Sequence, residues 1–273
     1  MALIALVLAS IDVATAQVAD DLYSAQTAVT GQGEANRLVG FAICLEDVLI
    51  KVSGAIRLAG DPRLADYKSR ARDFVAAHSY RDQMSGTPTR DEQGTRDRPY
   101  DLTVHFDKTK IDALLGTLGI KPWLSQRPVL GVMIAMDLGA RQYIVTSDAG
   151  QSFAAREALQ AAAARRGMSI ALPAKTALAI PGADAASLAK LPPSALAARA
   201  AGLGGEVTLA GRLRWDDRAL GWNTEWQMAW QGRPHRWRFR SVTFDDAFRS
   251  ALGDAAQIAS GNGDPVATSG QHR

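Results

Sequence analysis

The chain has 273 residues, a formal net charge of +3, a hydrophobic fraction of 47% and a charged fraction of 22%. These values are ordinary for a globular protein, and so mild a positive balance does not require nucleic acid as a partner. The single cysteine, Cys44, excludes an intramolecular disulfide framework and any metal site built from several thiolates. Cys44 lies within an apolar helical pattern, so we expect a buried, inert thiol.

Residues 1–16 are predicted to be a cleaved signal peptide. The apolar run Ala2–Ile11 is too short to cross a hydrocarbon layer of ~30 Å as a helix. Small residues at Ala14 and Ala16 then suit a signal peptidase. The alternative is a buried core helix, although cores rarely begin with an unpaired segment that holds Asp12. No later apolar run is long enough to span a membrane, so we expect a periplasmic or secreted protein that is soluble after cleavage.

Residues 17–121 are predicted to form an α+β half of the chain. Its helices follow 3.6-residue apolar spacing and its strands follow alternation. The predicted strands are Leu22–Thr30, a strand near Ser79 and Tyr100–Phe106, and the predicted helices are Glu34–Val52, Leu64–Ala77 and Ile111–Leu118. The stretch Arg81–Pro99 is rich in charge, glycine and proline, and is predicted to be a solvated hairpin loop.

Residues 122–260 are predicted to form a second half with a sheet and helices, which begins at a proline-rich boundary. Val129–Met136 is almost continuously apolar, which is typical of a strand covered on both faces. The remaining predicted elements are strands at Arg141–Thr146 and Ser169–Leu172, a helix capped by Ser152 that ends at Gly167, and a helix at Pro193–Gly202. Residues 261–273 are predicted to be a disordered tail.

The clearest pattern lies in residues 206–242. Trp222, Thr224, Trp226, Met228 and Trp230 alternate strictly with polar or small residues, which predicts a strand rather than a helix. Similar alternation on both sides, with turn residues between, predicts a three-stranded antiparallel meander with one aromatic face. Thr243 and Asp246 form a short capping box for a following helix. That helix carries an apolar stripe that can cover the aromatic face: Phe248, Leu252, Ala255 and Ile258.

Short motifs along the chain resemble the bacterial family catalogued as domain of unknown function 2066. The matching segments are Arg37 with Leu49–Gly54, Trp123–Pro128 before a buried strand, Arg166-Gly167 leading into Ile170–Pro173, Leu209–Arg212 and the tryptophan-rich hairpin. The second half also resembles, by element order alone, the small envelope modules of the TolB amino-terminal, CsgG and LpoB group. That likeness implies protein contacts at the cell envelope. Neither resemblance implies a catalytic residue.

Signatures of known chemistry are missing from the sequence. It holds no G-x-S-x-G, H-E-x-x-H, Walker loop or C-x-x-C motif. The four histidines, His78, His105, His235 and His272, lie in separate segments, so spacing assembles neither a metal site nor a catalytic triad. We therefore expect no cofactor, no metal and no catalytic residue, although convergence of the histidines in space stays open.

Five arginines share one face of the predicted meander: Arg212, Arg214, Arg236, Arg238 and Arg240. Glu225 and Gln227 lie between them, which leaves an expected excess of four positive charges on that face. The structural alternative is a solvated face with cross-strand pairs that contribute roughly 0.2–1 kcal/mol each. The functional interpretation is a site for an acidic envelope protein or another anionic surface. Nucleic acid is disfavoured because the aromatic side chains point away from the arginines.

Two functions remain open from the sequence. The first is a non-enzymatic, exported envelope protein that acts as a macromolecular binding or assembly module. The second is a small-ligand receptor or enzyme with a pocket between the two halves, near Trp123 and Arg127.

Overall fold

The computed structural model describes residues 22–86, 98–178, 187–188, 190–200 and 204–265. The chain divides into two compact units, with the boundary between Leu124 and Ser125. The predicted signal peptide, residues 87–97 of the predicted loop and residues 266–273 of the predicted tail lie outside the described residues. In the described part of the chain, no helix has the length and apolarity needed to cross a membrane.

The first unit is a three-stranded antiparallel sheet with helices. Its strands are β1 (Ser24–Thr30), β2 (Val75–Asp82) and β3 (Pro99–Phe106), in the order β1-β3-β2. Helix α1 spans Glu34–Ser53, a short helix α2 spans Ala65–Ser69, and α3 spans Lys108–Thr117. Three short 3₁₀ segments, Ile56–Leu58, Pro62–Leu64 and Ala71–Phe74, complete the unit.

Helix α1 forms and ends as its sequence predicts. Its buried side chains recur every three or four residues, for example Phe41, Leu45 and Val48. Gly54 ends the helix in the left-handed region, with φ 73°, and its N–H donates to the carbonyl of Ile50 at 2.7 Å. Cys44 is fully buried in this core, as expected.

The predicted helix at Leu64–Ala77 is wrong. The structure has only the short α2 and the 3₁₀ turn Ala71–Phe74, and β2 begins at Val75. Arg70 leaves the helical region between the two turns, with φ −118° and ψ 32°. The helical spacing in the sequence comes from consecutive turns that place Tyr67 against Phe74, with ring centroids 6.3 Å apart. The backbone after Phe74 pairs with β3 instead, because the sheet supplies its hydrogen bonds.

The second unit is built on a six-stranded mixed sheet. The strands before the meander are β4 (Leu130–Asp137), β5 (Gln142–Ile144) and β6 (Ile170–Ala171), and those of the meander are β7 (Val207–Asp216), β8 (Gly221–Trp230) and β9 (Arg233–Val242). The order across the sheet is β5-β4-β7-β8-β9, with β6 paired to β4. Every residue of β4 is buried, which confirms the predicted strand covered on both faces. It runs parallel to β6 and β7 and antiparallel to β5.

The helices of this unit are α4 (Phe153–Arg165), α5 (Pro193–Ala200) and α6 (Phe244–Ala259). The predicted cap of α4 is wrong, because the Ser152 side chain makes no hydrogen bond to the start of that helix. Instead its buried Oγ accepts a hydrogen bond from the N–H of Thr146 at 3.1 Å. The hydroxyl therefore fixes the position of the backbone that follows β5.

The predicted meander and its covering helix are confirmed. Its strands are β7 (Val207–Asp216), β8 (Gly221–Trp230) and β9 (Arg233–Val242), all antiparallel neighbours. The side chain of Trp226 is buried and contacts Phe248 of α6 edge to face, with ring centroids 6.4 Å apart. Thr243 caps α6, since its Oγ1 accepts from the N–H of Asp246 at 3.1 Å.

Candidate binding surface

The five predicted arginines lie on the face of the meander opposite the tryptophans. We call this surface the arginine face and define it by Arg212, Arg214, Glu225, Gln227, Arg236, Arg238 and Arg240. Strand pairing places Glu225 between Arg212 on one side and Arg238 on the other. One row along, Gln227 lies opposite Arg236, whose Nε donates to Gln227 Oε1 at 3.0 Å. On the other side of the Arg212–Glu225 pair, Asn223 lies opposite Arg214.

Asp137, which sequence reasoning missed, belongs to the same face. It is the last residue of β4 and lies in register with Arg214 of the parallel strand β7. Its Oδ2 is 3.4 Å from Nη2 of Arg212 and 3.6 Å from Nε of Arg214. The two carboxylates, Asp137 and Glu225, leave the five guanidinium groups an excess of three positive charges, not the four expected from the meander alone.

Asp137 is held in its charged form by several donors. Burial acts to raise its pKa, but hydrogen bonds from the N–H of Gly139, from Gln142 and from Arg212 prevail and lower it below the ordinary value. The distances from Asp137 Oδ1 are 3.1 Å to Gly139 N and 3.2 Å to Gln142 Nε2. The only signal in the sequence was an acidic residue at the end of an apolar strand, and the pairing of distant parallel strands cannot be read from spacing.

Exposure differs sharply across the face. The side chain of Arg212 is only 16% exposed, whereas that of Arg214 is 59% exposed. Arg236, Arg238 and Arg240 are exposed on β9. Helix α5 covers one end of this face, since its Leu196 and Ala200 belong to an apolar cluster with sheet residues Met133, Ala135, Ile144 and Ala210. Ala135 is the register partner of Arg212. The part of the face open to solvent is therefore on β8, β9 and the end of β7.

Apart from Asp137, no described carboxylate forms an ion pair with the arginines of the arginine face. Among the described residues, Glu225 makes no ion pair with Arg212 or Arg238, and it is itself exposed. Arg238 and Arg240 likewise make no ion pair with a described residue. These side chains are thus available to an anion from outside the chain.

Trp123 and Arg127, named for a pocket between the halves, belong to different units. Trp123 is buried in the first unit, and its backbone N–H donates to the carbonyl of Val52 at 2.8 Å. Arg127 lies in the second unit, where its Nη1 donates to the carbonyl of Arg166 at 2.7 Å. Burial lowers the pKa of Arg127 to about 10. Each residue therefore has a role inside its own unit, and the pocket stays a prediction.

The histidines occupy separate surroundings. His78 contacts Phe41 edge to face at 5.3 Å, His105 is exposed on β3, and His272 lies outside the described residues. His235 Nδ1 is 2.6 Å from Asp264 Oδ1. Over the ranges that the structure describes, no three histidine, cysteine or acidic side chains are grouped so that they could hold a metal ion.

The fold is α+β, with two sheet-plus-helix units. Residues 16–124 match the model of a family described as Domain of unknown function (DUF8605). The match stops at the end of the first unit, so it does not include the arginine face. No curated protein matches the chain, and no solved structure matches it either.

These comparisons correct the resemblance drawn from the sequence. The family matched over residues 16–124 is a different one from domain of unknown function 2066, and no solved structure supports a likeness to the TolB, CsgG and LpoB modules. The motifs behind that resemblance have structural causes. Leu49–Gly54 is a helix end closed by a left-handed glycine, and Arg166-Gly167 is the turn after α4. Such helix ends recur in unrelated folds.

Proposed function

We propose that this chain is an exported binding protein that holds an anionic partner on its arginine face. The observation that carries the proposal is the excess of three positive charges on a partly exposed surface whose buried carboxylate, Asp137, is already engaged. Planar guanidinium groups bind carboxylate and phosphate oxygens in pairs, which makes an acidic protein or a phosphate-bearing surface the fitting partner class. The role is binding rather than catalysis.

A purely structural role for these arginines is the competing explanation. Charged residues on the outermost strand of a sheet discourage unwanted pairing with other chains. That explanation accounts for the charge on β9, because the side chains that protect such strands are often positive. It leaves Arg214 unexplained, since β7 lies inside the sheet between β4 and β8. A binding measurement separates the two explanations.

The export part of the proposal rests on residues 1–16. An apolar run of this length followed by small residues is typical of a secretory signal. Fractionation of cells that express the full chain should recover a shortened protein outside the cytoplasm. Recovery of the full-length chain in the cytoplasm would contradict export and would leave the binding proposal to be judged separately.

The binding test uses the full chain and two probes, labelled polyglutamate and vesicles that contain phosphatidylglycerol. The variant carries Arg236→Gln and Arg238→Gln. The control carries Arg72→Gln and Arg81→Gln in the first unit, where the side chains are 68% and 79% exposed, so the net charge changes equally. We expect at least one probe to bind the wild type and the control, and to bind the variant about tenfold more weakly at low salt. Binding of neither probe, or equal loss in both variants, would contradict the proposal.

A further inference from the structure

Strand β9 is the outermost strand of the six-stranded sheet. Its only strand neighbour among the described residues is β8, and Arg233, Pro234, Arg236, Arg238, Arg240 and Ser241 are all exposed. An outermost strand of this kind presents backbone N–H and carbonyl groups that a further strand can use. The direction in which each of these groups points follows from the pairing with β8.

The turn between β8 and β9 fixes that direction. Gln231 and Gly232 form a two-residue turn with φ 49° and 77°, and they join Trp230 to its partner Arg233. Both positive values are typical of a type I′ hairpin, whose flanking residues exchange hydrogen bonds. Because hydrogen-bonded pairs alternate in an antiparallel ladder, the N–H groups of odd-numbered β9 residues point toward β8. Phe239 agrees, since its N–H donates to Thr224 Oγ1 at 3.3 Å on β8.

From Pro234 to Arg240, ahead of the register shift near Val242, the even-numbered residues of β9 therefore point their backbone groups outward. Pro234 fits this assignment, because proline has no N–H and is tolerated where the missing donor would face solvent. The outward donors that remain belong to Arg236, Arg238 and Arg240, whose side chains are also exposed on the arginine face. Backbone donors and guanidinium groups are thus presented by the same three residues.

Resting on the proposed function, we infer that the partner is an extended acidic polypeptide that adds to β9 as a seventh, antiparallel strand. Each of its residues opposite Arg236, Arg238 or Arg240 would share the arginine face, with Cβ atoms roughly 4.5–5.5 Å apart across the strands. Asp or Glu at every second position would then meet a guanidinium group while the backbones pair. A phosphate or a lipid headgroup would use the guanidinium groups but leave the backbone donors unmatched.

The usable length of this edge is short and defined at both ends. Pro234 lacks a donor at one end. At the other end Ser241 adopts a left-handed conformation, with φ 56°, where the pairing with β8 is interrupted by a bulge. The stretch between them, Arg236–Arg240, is five residues long, and Arg240 borders the bulge. It matches a partner segment of five residues with three acidic positions, or about seven residues with one flanking residue at each end.

The test compares three seven-residue peptides that bind the full wild-type chain. The first alternates threonine and glutamate, with glutamate at three positions. The second is N-methylated at the glutamates, whose N–H groups would face β9, and the third is N-methylated at the two threonines that separate them. All three have the same charge. Loss of the hydrogen bonds between the backbones should weaken the binding of the second peptide about tenfold or more and leave the binding of the third unchanged.

Equal affinity of the three peptides, or loss only for the third, would overturn strand addition. If polyglutamate binding still depends on Arg236 and Arg238 in that case, the proposed function stands and only the inference fails. Binding of phosphatidylglycerol vesicles without binding of the first peptide would also overturn it. Protection of the Arg236, Arg238 and Arg240 amides from hydrogen exchange in the peptide complex is the expected second readout.

Discussion

The indole of Trp226 lies directly over Gly211 on the neighbouring strand. A Cβ atom built on Gly211 would be 2.3 Å from Cζ3 of that ring, which is far inside the contact distance. The two residues are register partners in β7 and β8. The missing side chain of the glycine is therefore what lets Trp226, the most deeply buried tryptophan of the meander, pack against the neighbouring strand and contact α6.

The first prediction concerns this contact. Gly211→Ala should lower the free energy of unfolding by about 1–3 kcal/mol, because the added methyl must displace a packed ring. Gly150→Ala is the control, since a Cβ at Gly150 in the same unit meets nothing within 4 Å. Denaturant unfolding followed by tryptophan fluorescence measures both. A Gly211→Ala protein as stable as the control would contradict the packing described.

The second prediction concerns the hydroxyl of Thr224, which is buried. Its Oγ1 accepts from Nε1 of Trp226 at 2.9 Å and from the N–H of Phe239 at 3.3 Å. Thr224→Val keeps the shape and removes the acceptor, so we expect a loss of about 1–3 kcal/mol from unpaired buried donors. Thr208→Val on β7 should change stability by less than about 0.5 kcal/mol. Similar stabilities for the two variants would show that the hydroxyl is dispensable.

The third prediction follows from the lowered pKa of Asp137. Because the folded-state pKa lies below the unfolded value of about 3.9, the contribution of this carboxylate is complete above that pH. It is lost as the pH falls through the folded-state pKa. Asp137→Asn should therefore be less stable than the wild type at pH 7, and the difference should shrink as the solution is acidified below about pH 4.

Glu157→Gln, which removes an exposed carboxylate from α4, is the control for that series. Its effect on the free energy of unfolding should be small at every pH. A constant difference between Asp137→Asn and the wild type from pH 7 to the acid end would mean that the hydrogen bonds from Gly139, Gln142 and Arg212 do not stabilise the charged form.

The fourth prediction concerns Asp254 of α6. Burial raises the pKa of its carboxyl to about 7, because desolvation penalises the charged form. Between the unfolded value of about 3.9 and the raised value, the folded state binds more protons, so stability falls as the pH rises through this range. Asp254→Asn should be more stable than the wild type at pH 8, with the gain much reduced at pH 4. Lower stability of the variant at pH 8 would contradict the conclusion that burial of the charged Asp254 carboxylate destabilises the fold.

Much of the fold follows from local patterns in the sequence. Strict alternation around Trp226 predicted the meander because one face is buried under α6 and the other is not. The apolar spacing of α1 and its closing Gly54 predicted that helix for the same kind of reason. The prediction of a helix at Leu64–Ala77 was wrong because the backbone from Val75 onward forms hydrogen bonds with β3, which a short run of apolar residues at helical spacing does not prevent.

The candidate site was predictable only in part. The arginines could be grouped on one face because they lie in consecutive strands. Asp137 could not be added, since parallel pairing joins it to Arg214 across 77 positions of chain. The packing of α5 on Ala135 and Ala210, beside Arg212, was equally hidden, because it depends on where a separate helix packs. Non-local contacts set the charge and the exposure of this surface.

The most direct measurement for the account as a whole is a titration of a short glutamate-rich peptide into the isotope-labelled full chain, followed by nuclear magnetic resonance. We predict that the shifted signals cluster on Arg214, Arg236, Arg238 and Arg240, with their backbone neighbours on β9. Shifts that cluster in residues 22–124, or that spread evenly over exposed arginines of both units, would contradict a binding role for the arginine face.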